Sequence, residues 1–155
     1  MAGSPNTILL SAYDERLSSK GVKEALSDAA ITPGHLIERT ATGVAVHSSS
    51  NGRAQKIFAL ENVADASGID DAYVAGETTR FWFGRAGDEI YALIPAAAPA
   101  IVKGDGLASN GDGTLVKVTD TALGAPLDEV VVAYAAEDVD NSGGGTAVRL
   151  IVEVA

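Results

Sequence analysis

Two histidines, His35 and His47, are the only imidazoles in the chain, and both fall in segments that read as β-strands. Strand histidines bind a metal when a carboxylate and an open coordination position complete the set. Without that third ligand they pack or face solvent. Carboxylates gather in three stretches. Residues 105–112 have the Asp, Asn and Gly content of a calcium loop, which needs oxygen ligands at alternate positions and a glutamate at the twelfth. Counted from Asp105, the third position is Leu107 and the twelfth is Val116, so the pattern fails. Residues 65–71 and 137–141 read as solvated acidic loops. The chain has no cysteine, which removes disulfides, thiolate metal sites and thiol nucleophiles. It has no G-x-S-x-G elbow, phosphate-binding loop or dinucleotide fingerprint. Its Gly-rich stretch leads into a strand, so no helix N-terminus is ready to receive a phosphate. A carboxylate pair for glycoside hydrolysis can lie far apart in a chain, and nothing singles one out. The expectation is a protein without catalytic residues, metal or cofactor.

The elements around these residues are short and β-rich. Residues 89–118 read as strand, Pro-bounded crossing, short strand, Gly-rich turn and strand. Pro95 and Pro99 cannot donate to a ladder and mark strand edges. Asn110-Gly111 and Asp112-Gly113 are hairpin dipeptides. Upstream, Thr32-Pro-Gly-His35 reads as a type II turn. Strands follow at His35–Thr40, Val44–Ser48, Lys56–Glu61 and Thr78–Phe83. Residues 129–136 read as a long apolar strand buried on both faces, residues 137–145 as a mobile acidic loop, and residues 146–155 as the last strand. About nine strands at this spacing suit a sandwich or barrel, and no repeat of 20–50 residues is visible. Residues 1–30 differ. Their apolar side chains, Ile8, Leu9, Leu10, Leu17 and Leu26, are too sparse to fold alone, and Val22–Ala30 has room for only a short helix. The expected fold is therefore mostly β: a compact β-sandwich or barrel-like domain over residues 31–155, preceded by an extended N-terminal arm.

Composition narrows the partners. The 155 residues are 46% hydrophobic, which argues against bulk disorder, and only 5% aromatic, which points to a small-residue core. The formal net charge is −10, concentrated in residues 61–155. Such a surface repels phosphate backbones and anionic membranes, so neither nucleic acid nor membrane is an expected partner. The one locally basic section carries Arg39, Arg53 and Lys56. No signal peptide or membrane span is evident.

The turn and strand pattern resembles that of the capsid decoration, or cement, proteins of tailed bacteriophages. The resemblance is carried by Ile31-Thr-Pro-Gly-His-Leu-Ile-Glu38, Asp71-Ala-Tyr-Val-Ala-Gly-Glu77 and Arg85-Ala-Gly-Asp-Glu-Ile-Tyr-Ala-Leu93. It continues through residues 101–115, 132–142 and 147–154, and does not cover residues 1–30. It implies a β-rich protein, often a homotrimer, on the outer surface of an assembled head and made in the host cytoplasm. Such a protein binds the major capsid protein and bridges its neighbouring subunits. Contact candidates are Ile8, Leu9, Leu10, Leu17 and Leu26 of an arm that orders on the head, together with Arg39, Arg53 and Lys56. Two other classes stay open. One is a carbohydrate-binding or fibre-like module using Trp82, Tyr73 and Tyr91. The other is a β-barrel enzyme using His35 and His47.

Overall fold

The computed structural model describes residues 4–12, 21–119 and 130–155. Strand β1 (Leu9–Ser11) comes first. A five-stranded unit follows: β2 (Val22–Leu26), β3 (Leu36–Arg39), β4 (Val44–Val46), β5 (Ile57–Ala59) and β6 (Thr78–Phe83). The rest is β7 (Glu89–Ile94), β8 (Gly106–Ser109), β9 (Leu115–Lys117), β10 (Ala133–Ala135) and β11 (Val148–Val154). The first sheet runs β2-β6-β5-β3-β4 and the second β1-β7-β11-β10-β8-β9, with antiparallel pairing throughout. The two sheets pack as a β-sandwich.

Apart from β1, the sheets are two copies of one pattern. In each copy the first strand pairs with the last, the last with the fourth, the fourth with the second, and the second with the third. The details match. Ile31 and Tyr73 exchange backbone hydrogen bonds of 3.1 and 2.8 Å, and Ile101 and Val139 exchange bonds of 2.8 and 2.9 Å. Gly34 donates to Ala59 O at 2.8 Å, and Gly104 to Ala135 O at 2.8 Å. These two glycines hold φ of +92° and +91°, the left-handed value a type II turn requires at its third position.

Strand alternation separates two apolar layers. In the first half Ile37, Val44, Ile57 and Phe81 share one face with Ile31 and Tyr73 and form their own buried cluster. This sheet rolls until the chain beyond β2 meets β4, where Asp28 donates to Val44 O at 2.9 Å. Gly43 permits the closure, since a Cβ there would lie 1.9 Å from Leu26 O. The opposite face presents a cross-strand row of Val22, Trp82, Phe58 and Leu36. That row packs with Ile8, Ile90, Leu107, Val152 and Val154 into the main core. Each large apolar side chain buried here contributes roughly 1.5–3 kcal/mol before ordering costs.

The arm is extended at Leu9–Ser11, as expected, but differs at its expected helix. Val22–Leu26 is a strand rather than the start of a helix, paired along its length with Thr78–Phe83. Pairing satisfies its backbone and seats Val22 against the core, which an isolated short helix cannot do. Ile8 is fully buried. Its N–H donates to Glu61 Oε2 at 3.1 Å, and its carbonyl accepts Tyr91 N–H at 2.8 Å. Downstream, the short strand expected between the Pro-bounded crossing and the hairpin turn is β8, where Leu107 pairs with Lys117 on one side and Ala133 on the other. The long apolar strand contracts to Ala133–Ala135, and Tyr134 within it is 46% exposed. The acidic loop after it is anchored by Asn141, which is buried and donates to Pro95 O and Thr146 O at 2.8 and 2.9 Å.

Candidate contact surfaces

The predicted contact residues lie in separate places. Ile8 is enclosed by the chain's own core. Leu9 and Leu10 are half-buried, with Leu9 packed against that core. Leu17 lies outside the described residues. Leu26 is 53% exposed at the end of β2. Lys56 is half-buried, and its ammonium donates to Ala155 O. Arg39 and Arg53 are brought together: both are exposed and line an open cavity of about 480 Å³ with Glu38, Thr40, His47 and Gln55.

His47 occupies the inner wall of that cavity. Its Nδ1 is 2.7 Å from Ser109 Oγ, its Nε2 is 3.3 Å from Arg53 O, and Glu38 Oε2 is 3.9 Å from Nε2. A Ser, a His and a Glu in sequence suggest a hydrolase set. Ser109 is fully buried, however, and its Oγ also accepts Gly111 N–H at 3.1 Å. The group therefore ties β4 of the first half to β8 of the second. His35 serves a turn: its Nδ1 accepts Thr32 N–H at 3.1 Å. Burial pushes its imidazole below the ordinary 6.5, against the pull of Asp112.

The loop carboxylates are likewise taken up by local donors. Asp105 pairs with Lys117 at 2.7 Å and accepts Val102 N–H at 2.9 Å, which hold it below the usual carboxylate range. Asp140 is held down by Ser142, and Asp28 by the Thr40 and Thr42 hydroxyls. Among the described residues no three His, Cys, Asp or Glu side chains converge to hold a metal. Of the aromatics proposed for a glycan groove, Tyr73 and Trp82 are each only 3% exposed. Their polar atoms face inward, Tyr73 to Leu60 O at 2.8 Å and Trp82 to Asp88 at 2.7 Å. Tyr91 is half-buried beneath the Arg149 guanidinium, 5.8 Å from its ring centroid.

Two surfaces escaped sequence reasoning. One is a groove of about 440 Å³ on the first half, with Ala25, Phe81 and Phe83 beneath Lys23 and Arg39. The other is the outer row of the second sheet, where Tyr134 lies opposite Glu153, and Glu153 opposite Glu89. Tyr134 was hidden because the apolar run around it reads as a core strand. A tyrosine between two alanines was the available signal for an exposed position.

No protein-family model matches this chain, and no curated protein matches it. Among solved structures it is similar to the N base of head fiber gp8.5 of bacteriophage phi29. The TM-score is 0.51, the sequence identity 15%, and the match covers 86% of this chain and 92% of that one. At that identity the likeness is one of fold: the chain shares its β architecture over nearly the whole length of both molecules.

Proposed function

We propose that this protein is a structural component of a phage head. It binds the outer surface of the assembled head, bridges neighbouring major capsid subunits as a homotrimer, and uses no catalytic residue or cofactor. The observation that carries this reading is the near full-length fold similarity to a protein named as a head fiber base. The resemblance in the turn pattern of residues 31–155 points the same way. The exposed Arg39 and Arg53 beside an otherwise acidic surface supply a place for an acidic capsid partner.

The test is to mix purified protein with empty heads and measure co-sedimentation, then the temperature at which the particles rupture. Saturable binding with a raised rupture temperature is expected. Absence of binding to heads from any source that carries a copy of this protein overturns the reading. A fibre base is the second reading, favoured by the same structural neighbour. Counting copies by particle imaging separates the two: a decoration protein covers the lattice, whereas a fibre base occupies few positions and carries a projecting partner.

A further inference from the structure

We propose that the protein associates with itself head to tail, the Tyr134 face of one copy seating in the Lys23/Arg39 groove of the next. The contact inside the chain supplies the template. The first half's row of Leu36, Phe58, Trp82 and Val22 covers the interior of the second half. At the end of that row a Cβ on Gly84 would lie 3.0 Å from Val154, and Trp82 donates to Asp88 at the entry to β7. The equivalent row of the second half is Gly106, Tyr134, Glu153 and Glu89. Among the described residues Val131 borders the Gly106 end and Ser11 the Glu89 end, while Tyr134 between them stands 46% exposed.

The receiving side is equally defined. By register, Phe83 of the first half corresponds to Val154 of the second, and Phe81 to Val152. In the second half these positions lie under the covering row. In the first half they lie under the groove of about 440 Å³. Lys23 and Arg39 at its rim are exposed and make no ion pair among the described residues. The row that would enter carries Glu153, which is exposed, and Glu89, which accepts a hydrogen bond from Ser11 Oγ at 3.3 Å. Glu153 and Glu89 thus meet Lys23 and Arg39, the groove's own Glu24 being engaged by Arg80 at 3.8 Å, and a tyrosine brings an apolar body with a polar tip to an apolar floor with a charged rim. Each copy holds both surfaces, so the interface is heterologous and closes into a ring or runs on as a chain. The inference rests on the proposed homotrimer only for the number of copies; the two faces come from this chain alone.

The test uses full-length protein sized by light scattering across a wide concentration range. Wild type is expected to associate, and Arg39→Glu or Glu153→Arg alone to weaken association about tenfold or more. Tyr134→Ser should do the same. Combining Arg39→Glu with Glu153→Arg in one chain restores association, as does mixing the two single variants, which also shows that neither is misfolded. Wild type that stays monomeric at every concentration overturns the proposal, and so does an oligomer that all three single variants leave unchanged. A monomer that still decorates heads sinks this contact and leaves the proposed function standing. An oligomer that obeys the charge swap but binds no head does the reverse.

Discussion

The two halves share one strand order and nearly one set of turns, yet they differ in where they place bulk. The first half fills its own interior with Phe81 and puts Phe58 and Trp82 on its other face. The second has Val152 and Val154 at the matched interior positions, and its other face carries Tyr134 and Glu153. Large side chains on both faces of one sheet match small ones on the inner face of the other. A shared topology is therefore read as two different surfaces, one buried within the chain and one left open. Arg149 adds a second asymmetry. It donates to Pro33 O at 2.8 Å and to Ile69 O, and pairs with Asp70 at 3.1 Å, whereas the residue at its matched position is the exposed Thr78.

The sharpest way to break this comparison is at the matched pair Phe58 and Tyr134. Phe58→Ala should cost about 3–5 kcal/mol in urea unfolding, through lost burial and a cavity between the halves. Tyr134→Ala should stay within about 0.5 kcal/mol in dilute protein. Equal effects would mean the rows are not distinguished by burial. At the next pair, Arg149→Ala should cost about 1.5–3 kcal/mol, because a charged donor is removed from largely buried carbonyls. Thr78→Ala should change the unfolding midpoint little.

Thr79 offers a change of opposite sign. It is fully buried, its Oγ1 has no hydrogen-bond partner among the described residues, and its matched position is Leu150. Thr79→Val should raise stability by about 1 kcal/mol, and a measured loss would show that the hydroxyl is satisfied in solution.

The smallest effect concerns the two turns. His35 and Asp105 anchor equivalent backbone N–H groups. Burial holds the folded imidazole below 6.5, so the unfolded chain takes up the proton first as pH falls. The contribution of His35 is full above about 6.5 and declines from there toward the folded value, below which it is constant. Asp105 is depressed from 3.8, chiefly by its bond to Lys117. Its contribution is full above that value and is lost as pH falls through the folded one. His35→Asp should therefore flatten the stability profile between about pH 5 and 7. A slope unchanged from wild type would assign the dependence elsewhere.

Much of the architecture was legible from the chain. Alternation through Thr78–Phe83 and the turn at Pro33-Gly34 identify strands and a type II turn without tertiary information. The duplication was not legible, because matched positions hold residues of different character: Phe58 and Tyr134, Trp82 and Glu153, Phe83 and Val154. Conserved backbone register leaves no trace in residue identity when packing demands differ. The strand at Val22–Leu26 and the burial of Ile8 are illegible for a related reason. Ile8 and Val22 gain their value from Glu61, Tyr91 and Trp82, distant partners that local propensity cannot supply. Arg39 and Arg53 stand out in the sequence as cations in an acidic chain, but only the fold shows that they line one cavity. The groove beside Arg39 needed the roll of the sheet that Gly43 allows.

The covering row also sets the order of events during synthesis. The first half is complete at Phe83, and its interior closes with residues already made. Among the described residues, its row of Leu36, Phe58 and Trp82 is covered by strands made later, and β11, the last of the described strands, lies between β7 and β10. A ribosome-bound intermediate therefore displays an aromatic, aliphatic patch for most of the time spent translating the second half, and such patches are sticky. Yield in a crowded cell then depends on how fast β11 is delivered, and chaperones that bind apolar surfaces meet this chain at the row that is hidden once both sheets have packed.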